Sequence, residues 1–159
     1  MDMKLSEQQE LLREMVRDLL TKECSTNLVR EMIEDEKGYP PKLWHKMAEL
    51  GWMGLVFPEK YGGLGGNFLD LAILLEEMGR VCLPGPFFST VVLGGLTILE
   101  RGTEEQRQEF IPPLCRGKSF FTLAFIEPNA VYKVSAWNTI GNSIGGNHVI
   151  QGIKEVSEN

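Results

Sequence analysis

A serine and a histidine near the end of the chain are the first residues whose types and spacing could do chemistry. The stretch from Gly141 to Gly145 matches G-x-S-x-G, in which hydrolases place a nucleophilic serine on a sharp strand-to-helix turn. That arrangement needs a helix after the serine, and an acid and a histidine farther along. Here turn-forming residues follow Ser143, His148 comes only five residues later, and no aspartate follows at all. The segment therefore favours a hairpin turn, with a hydrolase as the less favoured alternative.

The remaining candidate sites have simpler structural explanations. The run Gly62–Gly66 looks like a phosphate-binding loop, but it fits neither G-x-G-x-x-G nor the P-loop pattern. It predicts a tight turn between two helices. His45 has no second histidine or cysteine at metal-ligand spacing, so no metal site is predicted. Glu76 and Glu77 are interpreted as paired or rim carboxylates, with a functional acid as the alternative.

Composition and charge exclude several classes of protein. The 159 residues include 22 acids and 16 bases, a net charge of −6, which argues against non-specific binding to nucleic acid. Apolar stretches reach about a dozen residues, fewer than the roughly 20 that span a bilayer, so no membrane span is predicted. No basic-then-apolar signal segment opens the chain. Three widely spaced cysteines suit buried thiols in a reducing compartment, and a cytoplasmic location is expected.

Helical signals dominate up to about Gly117. Ser6 with Gln9 and Thr103 with Gln106 are capping boxes, each of which marks the start of a helix. The acidic run 34–36 is interpreted as a solvated loop. We predict five helices: one from Ser6 with Leu11, Leu12, Met15, Val16, Leu19 and Leu20 on its buried face; one from Pro40-Pro41 to Gly51; one from Asn67 to Met78, stopped by Gly79; one from Phe88 to Glu100, ended by Gly102; and one from Thr103, closed by Pro112-Pro113. The third and fourth are apolar nearly all round, which predicts that protein surrounds them.

After Lys118 the signals become those of a sheet. Short, aromatic or β-branched runs predict about three strands, at 119–126, 131–140 and 148–150. Turn chemistry occurs at Gly141-Asn142 and at Gly145-Gly146-Asn147. The expected fold class is therefore α+β, with an N-terminal all-α helical bundle over 1–117 and the beginning of a β-domain over 118–159.

The order of several segments resembles that of one enzyme family. The segments are Leu50–Gly66, Leu75–Arg80, Gly102–Arg107, Ile111–Gly117, Phe125–Pro128 and Val149–Lys154. In this order and at these spacings they resemble the acyl-CoA dehydrogenases, and the resemblance covers essentially all of the chain. The element Pro84–Phe87 is most like the bacterial branch that acts on bulky acyl-CoA thioesters.

The resemblance implies a fold and a reaction. Members have an N-terminal helical domain, a β-barrel-like middle domain and a C-terminal four-helix domain, and they bind FAD. A carboxylate takes the α-proton of an acyl-CoA substrate while a hydride leaves the β-carbon for the flavin. The resemblance also implies a homo- or hetero-oligomer and an acceptor of the electron-transfer flavoprotein type. Helices 68–78 and 88–99 would line part of the acyl slot, although core packing explains the same residues equally well.

The same resemblance bears on individual residues. The chain is expected to end within the middle domain, so no catalytic residue is assigned in it and the chain alone is expected to be inactive. Leu123 and Phe125 would offer backbone groups and apolar surface to the flavin. Ile126 stands where the family has a flavin-bonding threonine, and Tyr132 stands where it has a serine. Two functions follow: the N-terminal portion of an acyl-CoA dehydrogenase that forms a 2,3-enoyl-CoA, or a degenerate, non-catalytic partner subunit or scaffold.

Overall fold

The computed structural model describes residues 4–128 and 137–154. Helices make up the first part of the chain and a single antiparallel hairpin makes up the second. In order, the elements are α1 (Glu7–Glu23), α2 (Thr26–Glu34), α3 (Pro41–Glu49), two short 3-10 turns (Trp52–Gly54 and Glu59–Tyr61), α4 (Phe68–Arg80), a π-helical segment (Phe88–Gly95), α5 (Leu96–Arg101), α6 (Glu104–Cys115), β1 (Ile140–Ile144) and β2 (Asn147–Gln151).

One apolar core holds the helices together. The N-terminal ends of α1 and α4 lie side by side, because Gln9 donates a hydrogen bond to Asp70 at 3.0 Å. Farther along the same pair, Arg17 contacts Glu77. Every helix except α2 and α5 contributes fully buried residues, which include Val16, Leu20, Leu43, Trp44, Met47, Leu71, Leu74, Met78, Ile111 and Leu114. The chain between α3 and α4 adds Trp52, Met53, Phe57 and Tyr61 to this core.

The helical unit extends a few residues beyond its last helix. The indole of Trp44 donates to the carbonyl of Gly117 at 2.9 Å, and its ring stacks on Phe120 with centroids 4.9 Å apart. The backbone amide of Phe121 donates to the hydroxyl of Thr90 at 3.2 Å. The chain divides into two compact units between Thr122 and Leu123. The domain assignment 1–117 and 118–159 stays a prediction.

The second unit contains the β-hairpin. Strands β1 and β2 pair in antiparallel register, with Ile140 opposite Gln151 and Ile144 opposite Asn147. Gly145 and Gly146 connect them, with φ of 59° and 85°. Two successive residues with positive φ give the turn type that suits the twist of a two-residue hairpin, and glycine adopts it without steric cost. The predicted turn at Gly145-Gly146 and strand at 148–150 are confirmed, whereas Gly141 and Asn142 lie inside β1.

Several predicted boundaries are wrong. Helix α2, capped by Ser25, occupies a region for which no helix is predicted. Gly79 lies inside α4, and Pro112 and Pro113 lie inside α6, which ends at Cys115. A proline has the backbone φ of a helix, but it removes its own amide donor and its ring crowds the carbonyl four residues earlier; here both effects fall on the last turns of α6. The carbonyl groups left without donors belong to Gln108 and Glu109, which are exposed and can bind water.

The burial pattern also differs from the prediction in two helices. Leu11 and Met15 of α1 are more than half exposed, and so is Phe68 of α4. The apolar face of α1 is therefore narrower than its sequence suggests, and α4 is not surrounded by protein on all sides. Residues 119–126 form no strand with the part of the chain that the structure describes. None of the described helices combines the length and apolar composition needed to cross a bilayer.

Candidate functional site

The glycine-rich run Gly62–Gly66 is a closed turn and cannot hold a phosphate. A phosphate loop binds its ligand with free backbone amides. Here each of the five amides donates to a carbonyl of the preceding turn: Gly62 to Glu59 at 2.8 Å, Gly63 to Pro58 at 3.2 Å, Leu64 to Gly54 at 2.9 Å, Gly65 to Phe57 at 2.9 Å and Gly66 to Leu55 at 2.8 Å. The interpretation as a tight turn is confirmed.

The serine and histidine motifs carry no catalytic arrangement. Ser143 lies within β1, opposite His148 of β2, and both are exposed. A two-glycine turn follows the strand in place of a helix, which contradicts a nucleophile elbow. His45 is exposed and lies 3.2 Å from Glu49, one turn along α3. Among the described residues no three histidine, cysteine or acidic side chains converge on a metal site.

Glu77 is a buried carboxylate with two cationic partners. Its side chain is 1% exposed and accepts hydrogen bonds from Arg17, at 3.0 and 2.6 Å, and from Arg80, at 2.9 Å. The hydrogen bond from Arg17, more than any other contact, holds the pKa of Glu77 below its ordinary value. Arg80 also donates to Thr21 of α1 at 2.9 Å. The prediction of a paired carboxylate is confirmed, and Glu77 ties α4 to α1.

An apolar cleft lies between α4 and the π-helical segment. It has a volume of about 300 Å³. No charged side chain lines it; the lining residues are Leu75, Met78, Gly79, Cys82, Leu83, Gly85, Phe87 and Phe88. Gly79 is one of these lining residues, and a Cβ built on it meets no atom within 4 Å. The position therefore has space for a side chain. The cleft can accept an aliphatic or aromatic chain. It lies between the two helices that, by the resemblance, would line part of an acyl slot, core packing being the alternative explanation of the same residues.

The thiols differ in their environments. Cys24 and Cys115 are buried, as the composition suggests, and burial raises the pKa of Cys115 to about 11. Cys82 is exposed at the cleft, with φ of 51°, a backbone conformation that is uncommon outside glycine. The expectation of buried thiols therefore holds for two of the three.

The predicted flavin-contact residues lie at the start of the second unit. Leu123 and Phe125 are 39% and 42% exposed, and Ile126 is half-buried. The ring of Phe125 packs edge-to-face on Trp137, with centroids 4.8 Å apart. The backbone amides of 123–126 donate to none of the described residues. Tyr132 lies outside the described residues.

Sequence reasoning missed the most connected polar group of this unit, Glu127. It is 3% exposed and accepts hydrogen bonds from both the amide and the hydroxyl of Thr139, from the amide of Asn138 and from the ammonium group of Lys154. The Thr139 hydroxyl, then the Asn138 amide and Lys154, lower the pKa of Glu127 to about 2. A glutamate before proline was the only signal in the sequence, since its partners lie 11, 12 and 27 residues away.

Comparison with known sequences gives consistent relatives. The sequence model of the acyl-CoA dehydrogenase N-terminal domain matches residues 6–118. A probable acyl-CoA dehydrogenase, YngJ of Bacillus subtilis, is 35% identical over 97% of this chain and 40% of its own length. The CarC subunit of the caffeyl-CoA reductase–Etf complex of Acetobacterium woodii is 31% identical over 96% of this chain and 40% of its own. Relatives thus include a subunit of a complex with an electron-transferring flavoprotein.

Solved structures share the fold. A variant of the Tcur3481-Tcur3483 steroid acyl-CoA dehydrogenase superposes with a TM-score of 0.85 at 31% identity, over 94% of this chain and 41% of its own. An acyl-CoA dehydrogenase of Bacillus anthracis, solved with FAD, has the same fold at 23% identity, with a TM-score of 0.79 over 94% of this chain and 26% of its own. The chain spans about 40% of the length of the curated relatives that it matches. By sequence and by fold, it belongs to the acyl-CoA dehydrogenase family, as an N-terminal portion.

Proposed function

We propose that the chain is the N-terminal portion of an FAD-dependent acyl-CoA dehydrogenase, which oxidises an acyl-CoA thioester to the 2,3-enoyl-CoA. Membership of the family supports the reaction class. The relatives described above are named for CoA thioesters in both directions of the reaction, as dehydrogenase and as reductase. A CoA thioester is therefore the substrate class that these names share.

The observation that carries this proposal is the apolar cleft between α4 and the π-helical segment. Its volume of about 300 Å³ is at the lower end of the range for ligand pockets, roughly 300–1,000 Å³. Phe87 and Met78 form its buried floor, whereas Phe88 is exposed at its edge. An acyl chain placed there is transferred from water to an apolar surface, and this transfer is favourable by about 25 cal/mol per Å² of apolar area buried. The polar CoA portion would stay outside.

The residues of the second unit fit a flavin ring in part. When bound, FAD supplies the hydride acceptor. Leu123 and Phe125 offer the partly exposed apolar surface that a flat aromatic ring requires, and the backbone amides of this segment donate to no acceptor among the described residues. The indole nitrogen of Trp137 is buried without a hydrogen-bond partner among the described residues, so this unit holds one further unused donor. Ile126 supplies no polar group to the ring.

A substitution that fills the cleft tests the proposal. Gly79→Leu adds four carbon atoms at a position that lines the cleft and should weaken binding of a pyrene-labelled acyl-CoA by about tenfold. Fluorescence titration of the full chain, with unlabelled acyl-CoA and free CoA as competitors, measures this. Acyl-CoA should displace the probe and free CoA should not.

Gly79→Ala is the matched control. A helix with glycine in its interior is less stable than one with alanine by roughly 0.5–1 kcal/mol, so this variant should have a higher free energy of unfolding than the natural chain. Its single methyl group should change acyl-CoA affinity less than threefold. Equal affinity of the leucine variant and the natural chain would show that acyl groups do not enter this cleft.

The chain by itself should not turn over its substrate. None of the residues that line the cleft is a carboxylate, so the cleft lacks the type of base that the resemblance implies for removal of the α-proton. We therefore expect no reduction of a dye acceptor above the free-flavin background when the chain is mixed with FAD and a panel of acyl-CoA thioesters. Turnover above that background would refute the assignment of the base to another part of the protein.

The partners proposed are those of the family. They are an electron-transfer flavoprotein-type acceptor, as the Etf complex of the CarC relative suggests, and further subunits, identical or different. The three free cysteines support a cytoplasmic location.

The second candidate is a non-catalytic subunit that docks on an active partner. Ile126 favours it, because a side chain without donor or acceptor stands where the family places a threonine. The effect of restoring that hydroxyl separates the two candidates.

A further inference from the structure

The carboxylate of Glu127 joins three stretches of the second unit that are distant in sequence. Glu127 itself follows the 123–126 segment. Its Oε2 accepts from the Asn138 amide at 2.5 Å, and its Oε1 accepts from the Thr139 amide at 3.1 Å, just before β1. Lys154, just after β2, donates to Oε1 at 2.9 Å. The segment is thus tied to both ends of the hairpin through one side chain.

A second set of contacts leads from the same carboxylate to Phe125. The Lys154 ammonium that contacts Glu127 also lies over the Trp137 ring, 4.6 Å from its centroid. Trp137 packs edge-to-face on Phe125, with an interplanar angle of 89°. A cation over an indole is attracted to the ring, and edge-to-face pairs have a preferred orientation. Lys154 therefore fixes Trp137, and Trp137 fixes Phe125, while Glu127 fixes Lys154.

We propose that Glu127 is a positioning residue, which through Lys154 and Trp137 holds Phe125 in the orientation in which it contacts the flavin. Glu127 does not touch the flavin in this assignment. A carboxylate suits the task because its two oxygens accept from several donors at once, and hydrogen bonds to a charged acceptor are the strong ones. The inference rests on the proposed function, since it assumes that the 123–126 segment faces FAD.

The test compares FAD binding by the complete protein, of which this chain is the proposed N-terminal portion, with and without Glu127→Gln. Glutamine keeps the size of the side chain but replaces one acceptor oxygen by an NH₂ group, which faces a donor. We expect FAD affinity, measured by flavin fluorescence quenching, to fall about tenfold, and the vibronic structure of the flavin absorption band to change. Glu36→Gln, at an exposed turn residue, makes the same change in net charge and should leave both readouts unaltered.

Substitutions of Lys154 keep the test valid if Glu127→Gln unfolds the hairpin. Lys154→Met removes the cation, while the backbone amides of Asn138 and Thr139 and the hydroxyl of Thr139 continue to hold the carboxylate. It should weaken FAD binding two- to fivefold and free the Phe125 ring. Lys154→Arg, which keeps the positive charge, should preserve both the FAD affinity and the orientation of the ring. FAD affinity of the methionine variant equal to that of the natural chain would overturn the positioning role.

A readout without flavin separates this inference from the proposed function. The amide protons of Asn138 and Thr139, which donate to a charged acceptor, should resonate downfield in NMR spectra and return upfield in Glu127→Gln. Loss of these shifts with unchanged FAD affinity would make Glu127 a purely structural residue. Normal shifts in a complete protein that binds no FAD would instead reject flavin binding, and the positioning role with it.

Discussion

Ile126 is the residue at which the two proposed functions diverge. Its side chain is half-buried beside the exposed Phe125 and the buried Glu127. If the segment faces a flavin, a polar atom of the ring lies opposite a methyl group. If it does not, Ile126 fills an apolar gap and its hydrophobicity stabilises the unit. One substitution therefore has opposite effects under the two hypotheses.

Ile126→Thr should tighten FAD binding by about two- to tenfold, since a regained hydrogen bond contributes roughly 0.5–1.5 kcal/mol. Under the non-catalytic alternative it would bury a hydroxyl without a partner, at a cost of about 1–3 kcal/mol in unfolding free energy. Fluorescence titration with FAD and a thermal melt are run on both chains, with Ile126→Val as the apolar control. A lower melting temperature without a gain in FAD affinity favours the non-catalytic subunit.

Glu77→Gln should lower the free energy of unfolding by about 1–3 kcal/mol at pH 7, because two arginines lose a charged acceptor. Because the pKa of Glu77 is lowered in the folded state, the stabilisation that its carboxylate provides depends on pH. It is complete above the ordinary glutamate pKa of 4.5 and is lost as pH falls through the lower pKa of the folded state. Urea titrations at pH 7 and pH 3 should therefore show a smaller difference between the two chains in acid. A difference that grows in acid would contradict the pairing.

At the scale of elements, a helix end marked by a few neighbouring residues could be predicted from the sequence. An element that depends on packing against distant residues could not. The capping boxes of α1 and α6 are complete within four residues, and both form. Helix α2 has no fully buried residue and ends in an acidic run, so its sequence resembles a solvated loop. Pro112 acts as a helix stop only where nothing outweighs it; here Leu114, which lies beyond it, is buried in the core and keeps the chain helical to Cys115. Helix α4 ends at Arg80, one residue after Gly79.

In the candidate site, too, one part could be predicted from the sequence and another part could not. The helices that bound the apolar cleft are readable from their composition, whereas their role as walls of an acyl slot, which the resemblance implies, stays a prediction beside core packing. Glu127 was not predicted, because its four hydrogen bonds come from Asn138, Thr139 and Lys154, and only the folded unit brings these together. Position in sequence alone cannot distinguish it from an exposed acid.

The turn between α3 and α4 provides a prediction at this scale. A Cβ on Gly63 would lie 2.0 Å from the carbonyl oxygen of Phe57, which is backbone and cannot rotate away. Gly63→Ala should therefore destabilise the helical unit by about 2–4 kcal/mol. Urea unfolding followed by far-UV circular dichroism measures the change, with Gly79→Ala as a glycine substitution of opposite expected sign. Wild-type stability of the Gly63 variant would contradict the close approach.

At the scale of the whole molecule, the helical unit should fold without the hairpin. Its core is contained in residues before 122, and its final contacts are those of Phe120 with Trp44 and of Phe121 with Thr90. A fragment of residues 1–122 should melt cooperatively by circular dichroism. A fragment that ends at Gly117, where the composition changes, should melt at a lower temperature, because it loses the stacking of Phe120 on Trp44 and the contacts of the partly buried Phe121 with Thr90. Equal melting temperatures would show that Phe120 and Phe121 add nothing.

The closed glycine turn has a consequence for the kinetics of solvent access. Loops without helix or strand usually exchange their amide hydrogens with water quickly, because local opening costs little free energy. Gly63, Leu64, Gly65 and Gly66 all donate to carbonyls of 54–58, a stretch packed in the core through Phe57. Because these acceptors are held in the core, an amide opens only when the glycine run itself moves away from them. We therefore expect the amide hydrogens of this run to exchange more slowly than those of an ordinary exposed loop.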